Sequence, residues 1–156
     1  METKNITKNR IWLKTEMLRA CIKKHQSVID DFKTGIKELL DTEKVDDPED
    51  AKLNDATVLE INQLVEQLRF ANEEMETLNG LSAVGGSKHD YVKLGSVVVT
   101  DKDIFFVSAS VERFEVAGLS VFGLSVKSPL FKAMEGLKVR DNFTYGTRNY
   151  HIIDLF

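Results

Sequence analysis

Apolar residues in the first quarter of the chain recur at Ile11, Leu18, Ile22, Ile29, Phe32, Ile36 and Leu39. Adding Thr15 and His25 completes an alternating spacing of four and three, the period of a coiled-coil seam. The spacing predicts a helix over 11–40, about 30 residues and about 45 Å long. Residues 53–79 repeat the rhythm at Thr57, Ile61, Leu64, Leu68, Ala71, Met75 and Leu78. Leu53, Val58, Leu59 and Val65 widen that apolar face, and Asn79-Gly80 is a helix stop. The connection near Asp41 to Asp47 is short and polar, and short connections favour antiparallel neighbours. Residues 1–80 therefore read as an antiparallel coiled-coil hairpin with its tip near 43–50.

Residues 81–90, with Gly80 before them, are rich in glycine and serine and have no periodicity, so they read as a linker. Beyond it the pattern changes. Val92–Thr100, Ile104–Ser110, Glu112–Val116 and Gly118–Val126 are rich in Val, Ile and Phe and are separated by turn signals; the last is interrupted at Gly123. Ser128 as N-cap and Pro129 at the first helical position open a short helix over Leu130–Glu135, closed by Gly136. Phe143–Tyr145 and Tyr150–Leu155 form a hairpin around Gly146. The fold class is α+β: a long α-hairpin, then a small, mostly antiparallel sheet with one short helix over 91–156.

Composition narrows the function classes. The 156 residues are 42% hydrophobic and 29% charged, a soluble mixture. The apolar runs are far shorter than the roughly 20 residues of a membrane helix, so no membrane partner is expected. The polar start, METKNITKNR, has no apolar core of a secretory signal. One cysteine, Cys21, excludes an internal disulfide and any multi-cysteine metal site within one chain, and a reducing cytoplasm is the natural compartment. Charge is unevenly placed: the balance is +4 over residues 1–40, −9 over 41–80 and +1 over 81–156. No strongly basic stripe is present, which argues against nonspecific duplex binding by this chain alone.

The acidic tip holds Asp41, Glu43, Asp46, Asp47, Glu49, Asp50 and Asp55. Such a cluster could hold a hard cation such as Mg²⁺ through oxygen ligands. The structural reading competes: Asp47-Pro48-Glu49-Asp50 is a helix start, with Asp47 as cap and acids facing the macrodipole. Cys21 and His25, four apart, allow a Cys–His pair or half a metal site, but both lie at or beside the seam, where burial keeps a thiol inert. The run from Gly80 to Ser87 mimics a phosphate loop, yet Gly86 stands where lysine is required and a helix precedes it. No self-contained catalytic motif is present, so the chain is not expected to be an enzyme in its own right.

The C-terminal motifs are specific. Gly95-Ser96-Val97-Val98 opens that half; Leu124-Ser125-Val126-Lys127-Ser128-Pro129-Leu130, Ala133, Gly136, Val139-Arg140-Asp141 and Tyr150-His151-Ile152 follow. This resembles the C-terminal domain of the bacterial Gre transcript-cleavage (transcription elongation) factors, over about residues 91–155, with a pattern of G-S-x-V, S-P-L…A…G, V-G-D and Y-x-I. The resemblance implies an FKBP-like sheet wrapped on a short helix. It implies RNA polymerase as the partner, with nucleic acid met only through the elongation complex. In that family the C-terminal domain docks at the rim of the polymerase's secondary channel and the coiled coil reaches inward. Two tip acids then help hold a second Mg²⁺, shared with the polymerase, which cuts backtracked RNA. Tip acids carried over on this basis are Asp46, Asp47, Glu49 and Asp50, and the docking residues are Ser128, Pro129, Leu130 and Arg140.

The tip departs from the family. Aligning Asp55-Ala56 on the family's Asn-Ala places Ala51 and Asn54 at the two acidic positions. Asp47 and Asp50 keep the spacing, but Pro48 lies between them. Arg140 replaces the usual glycine of V-G-D, which suggests a local turn change. The resemblance thus leaves two outcomes, stimulation of RNA cleavage or channel occupancy without it. The alternatives are an FKBP-like prolyl isomerase or chaperone, with Phe105, Phe106, Phe114, Phe122, Phe131 and Phe143 as pocket candidates, and an adaptor that dimerises through the hairpin. The seam is satisfied within one chain, so a monomer is expected.

Overall fold

The computed structural model describes residues 9–42, 55–84 and 88–156. Two long helices, α1 (Arg10–Thr42) and α2 (Asp55–Val84), pack antiparallel. A six-stranded mixed sheet with a short helix follows, so the α-hairpin and sheet architecture expected from the sequence is present.

The seam of α2 lies where its spacing places it. Ala71 and Leu78 are buried, and Thr57, Ile61, Leu64, Leu68 and Met75 are half-buried. Val58, Leu59 and Val65 are exposed and do not widen the apolar face. Leu53 lies outside the described residues. The helix also continues through Asn79-Gly80 to Val84. Leu81 accounts for this: its packing against the core offsets the roughly 1 kcal/mol that a glycine costs inside a helix.

On α1 the seam needs correction at its base. Ile11 is 68% exposed, and Thr15 is exposed too. The buried row is instead Leu13, Met17, Cys21, His25 and Ile29, at strict four-residue spacing. Such a row runs oblique to the helix axis. Its lower members, Leu13, Met17 and Cys21, share a core with the sheet, while His25 bonds to α2. Farther along, Gly35 leaves room for Leu64: a Cβ there would lie 3.5 Å from Leu64 Cδ1.

The strands are β1 (Val97–Thr100), β2 (Ile104–Val107), β3 (Phe114–Val116), β4 (Leu119–Leu124), β5 (Asn142–Tyr145) and β6 (Arg148–Leu155). Their order is β3-β4-β2-β1-β6-β5. Neighbours are antiparallel except β2 and β4, which are parallel with Phe105 opposite Phe122. The reason is topological. After β2 the chain crosses to the sheet edge as β3, then turns at Ala117-Gly118 and returns between β3 and β2. Both turn residues have positive φ, 52° and 80°, as a tight two-residue hairpin of this hand requires.

The sheet is covered on both faces, which is why central β1 reads Val-Val-Val without alternation. Val97, Val99, Phe106 and Val121 meet the hairpin base. Val98, Phe105, Val107 and Ile152 meet α3 (Pro129–Met134) on the other side through Phe131 and Met134. Most strands are shorter than their apolar runs. β1 begins only at Val97 because Gly95 takes φ +91° and Ser96 turns the chain. Gly123 does not interrupt β4; it permits close backbone approach, since a Cβ there would lie 2.6 Å from the Ala109 carbonyl oxygen.

Candidate functional site

Three places bear on function: the far end of the hairpin, its junction with the sheet, and the surface formed by the C-terminal motifs. The tip acids Asp46, Asp47, Glu49 and Asp50 lie outside the described residues. Asp41 stands exposed near the end of α1, and Asp55 is exposed in the first turn of α2, where its carboxylate suits the helix dipole.

At the junction, polar groups tie the hairpin to the sheet half of the chain, some buried and some at the surface. His25 Nε2 lies 2.7 Å from the Ala71 carbonyl oxygen and 3.9 Å from Glu74 Oε2. The other oxygen of Glu74 accepts the Ser110 backbone N–H at 3.0 Å. Lys24 donates to the Arg113 carbonyl at 2.8 Å, and Arg10 pairs with Asp154 at 2.6 Å. Cys21 is fully buried, 3.9 Å from Ser108 Oγ, and burial pushes its thiol up to about 12 against that weak bond. A thiol so held is no nucleophile. Cys21 and His25 thus serve the junction, not a reaction. Among the described residues no three His, Cys, Asp or Glu side chains gather as a metal site.

Several motif residues of the C-terminal half have work within the fold. Ser128 Oγ accepts the Phe131 N–H at 3.1 Å, Pro129 starts α3, and Leu130 and Ala133 pack half-buried on the core. Gly136 takes φ +77° and donates to the Val92 carbonyl. Pro129 and Arg140 are exposed, so they alone of the four docking candidates present much surface. Arg140, where the family pattern has glycine, lies in a tight turn. It adopts φ +78°, a conformation that suits glycine. The turn is closed by the Asp141 N–H to the Lys138 carbonyl at 3.0 Å and by the Lys138 N–H to Asp141 Oδ2 at 2.8 Å.

The aromatic residues considered for an isomerase pocket are core. Phe131, on α3, shares a buried core with Phe105 and Phe143, and Phe106 and Phe114 are buried in the core at the hairpin base. Phe122 is half-buried against Phe105, with ring centroids 6.2 Å apart.

Sequence reasoning missed a cleft of about 400 Å³ where α1, the end of α2 and residues 89–95 meet. Lys14, Arg19 and His89 line it beside Leu18, Leu94 and Phe106. The signal lay in Lys14, a base in the first turns of an amphipathic helix and next to Leu13 in the buried row, but spacing alone did not place His89 opposite it. No helix among the described residues is long and apolar enough to cross a membrane.

No family model matches the chain, and no curated protein does. Among solved structures the chain is similar to the GreA factor homolog 1 (Gfh1) protein of Thermus thermophilus, with 16% identity and a TM-score of 0.36, over 90% of this chain and 93% of that one.

Proposed function

We propose that this chain is a Gre-like factor that binds RNA polymerase at its secondary channel and modulates elongation by occupying that channel with its hairpin. The observation that carries the reading is the junction. Leu13, Met17, Cys21 and Leu78 are buried in the sheet's own core, so a long two-helix rod is anchored to a compact docking domain. The Ser-Pro-Leu, Val-Arg-Asp and Tyr-His-Ile motifs supply the family likeness.

The docking surface would include the exposed Pro129 and Arg140, with Ser128 and Leu130 supporting them. The tip would lie near the polymerase's catalytic metal. Carboxylates are the donors Mg²⁺ takes, so Asp46, Asp47, Glu49 and Asp50 are the residues that would share it. Ala51 and Asn54 at the family's acidic positions favour occupancy over cleavage. On this reading the protein is a monomer of the cytoplasm with no chemistry of its own.

The test is RNA 3′-end cleavage in a stalled, backtracked elongation complex, with binding measured by co-sedimentation. Binding with unchanged or slowed cleavage is the expected result. Faster cleavage, lost when Asp46, Asp47, Glu49 and Asp50 are changed together to Ala, would make the protein a cleavage factor instead. Failure to bind polymerase would end the reading in both forms.

A further inference from the structure

The cleft at the hairpin base stands apart from tip and docking motifs. Its walls are apolar where the elements meet: Leu18 and Ile22 from α1, Leu81 from α2 and Phe106 from β2, with Leu94 at the rim. Most of the polar side chains that line it bond elsewhere in the protein. Thr15 Oγ1 donates to the Ile11 carbonyl at 2.9 Å, Arg19 pairs with Glu16 at 2.7 Å, and Lys14 is engaged within the fold. His89 Nδ1 lies 2.7 Å from Ser96 Oγ. We propose that this cleft is a binding site for a small, uncharged, mainly apolar molecule.

Solvation argues for that class. Water in a cleft whose polar groups bond elsewhere finds few partners, and displacing weakly held water with an apolar group is favourable. The volume, about 400 Å³, falls within the range of small-molecule sites. The walls are set before any ligand arrives. Gly95, at φ +91°, lets two of them close in: a Cβ there would lie 3.2 Å from His89 Cε1 and 3.1 Å from Leu81 Cδ2. Charge argues against the other classes. Burial, then the nearby Lys93, brings the Lys14 ammonium down to about 8, so a further cation is repelled. Burial, then Lys14 and Lys93, brings His89 down to about 4, so the imidazole is neutral at pH 7 and offers an anion no charge. Asp90 beside it repels a carboxylate. With Arg19 and Lys14 already engaged, an ionic head group would shed its water and gain no new partner.

The test uses the full chain, ¹⁵N-labelled, titrated at pH 7 with toluene and separately with benzoate and benzylammonium, which share the ring and differ in charge. Toluene is expected to shift the amides of Leu18, Leu81 and Gly95 saturably. It should bind about tenfold tighter than either ion, since an ion pays for desolvation without a partner. Leu94→Ser, at a rim position 39% exposed, takes apolar surface from the mouth and leaves the core intact. Leu18→Ala takes it from the wall. Each should weaken toluene binding by about fivefold to tenfold, the scale of one or two buried methylene contacts. Scattered or unsaturable shifts, binding of either ion as tight as that of toluene, or wild-type affinity in both variants would each overturn the proposal. None of these outcomes bears on polymerase binding.

Discussion

His25 Nε2 lies 2.7 Å from the Ala71 carbonyl oxygen, so an imidazole N–H donates across the hairpin to the backbone of the facing helix. Both residues are buried. His25→Leu removes the donor and keeps much of the volume. It is expected to cost about 1–3 kcal/mol, the range for unmaking a buried hydrogen bond. Urea unfolding should show a lower midpoint with an unchanged slope. An unchanged midpoint would mean that the hairpin does not depend on this bond.

Gly123 permits a close backbone approach, with the Ala109 carbonyl oxygen 2.6 Å and Val111 N 2.9 Å from the site of an added Cβ. The neighbour is backbone, not a flexible side-chain end. Gly123→Ala should therefore destabilise by about 1–3 kcal/mol, as overpacking does. Thermal unfolding checks this; wild-type stability would show that the 109–111 segment yields freely.

Arg140 holds φ +78° without the freedom of glycine. A left-handed conformation costs a non-glycine residue about 1–2 kcal/mol, and glycine gives back part of that through the unfolded chain. Arg140→Gly is expected to stabilise by about 0.5 kcal/mol. Arg140→Ala should change little. If Arg140→Gly lowered the melting temperature, the arginine side chain would be contributing contacts of its own.

His89 gives a pH dependence. Burial first, then Lys14 and Lys93, bring its imidazole down to about 4 from 6.5, with Asp90 opposing. Between those values the unfolded chain binds more proton than the folded one, so stability rises with pH. The contribution is complete above pH 6.5 and is lost as pH falls toward about 4. Urea midpoints at pH 7 and pH 4.5 should differ less in His89→Gln than in the wild type. Equal differences would assign the acid sensitivity to other groups.

Cys21 should be inert in the folded protein. Its thiol is buried and held near 12, so a thiol reagent at pH 8 meets almost no thiolate. Modification is expected only at the rate of opening, and full reactivity only in denaturant. Rapid labelling under native conditions would mean that the junction opens locally.

The α2 seam was legible because it faces one partner, and one partner imposes one period. Thr57 to Leu78 kept the four–three spacing from end to end. The base of α1 was not, because it faces two partners. Leu13, Met17 and Cys21 answer to the sheet and not to the coiled coil, so a heptad reading chose Ile11 and Thr15 in their place. The strands were legible as apolar runs, but their ends were set by contacts far off in sequence, such as the Gly95 N–H to the Val107 carbonyl. The parallel pairing of β2 with β4 left no local trace. Of the site, the structural work of Ser128 and Pro129 was visible in residue type alone. The cleft was not, since Lys14 and His89 are brought together only by the tertiary fold.

Sharing one core has a mechanical consequence. From Lys24, tied to the Arg113 carbonyl, α1 runs on for about 27 Å to its described end. A sideways load on that overhang is carried, among the described residues, by the buried contacts at the base. It becomes torque on the face of Val97, Phe106 and Val121. Deflection of the hairpin and tilt of the sheet are then one motion, with α1 as a lever and Met17 and Cys21 at its fulcrum.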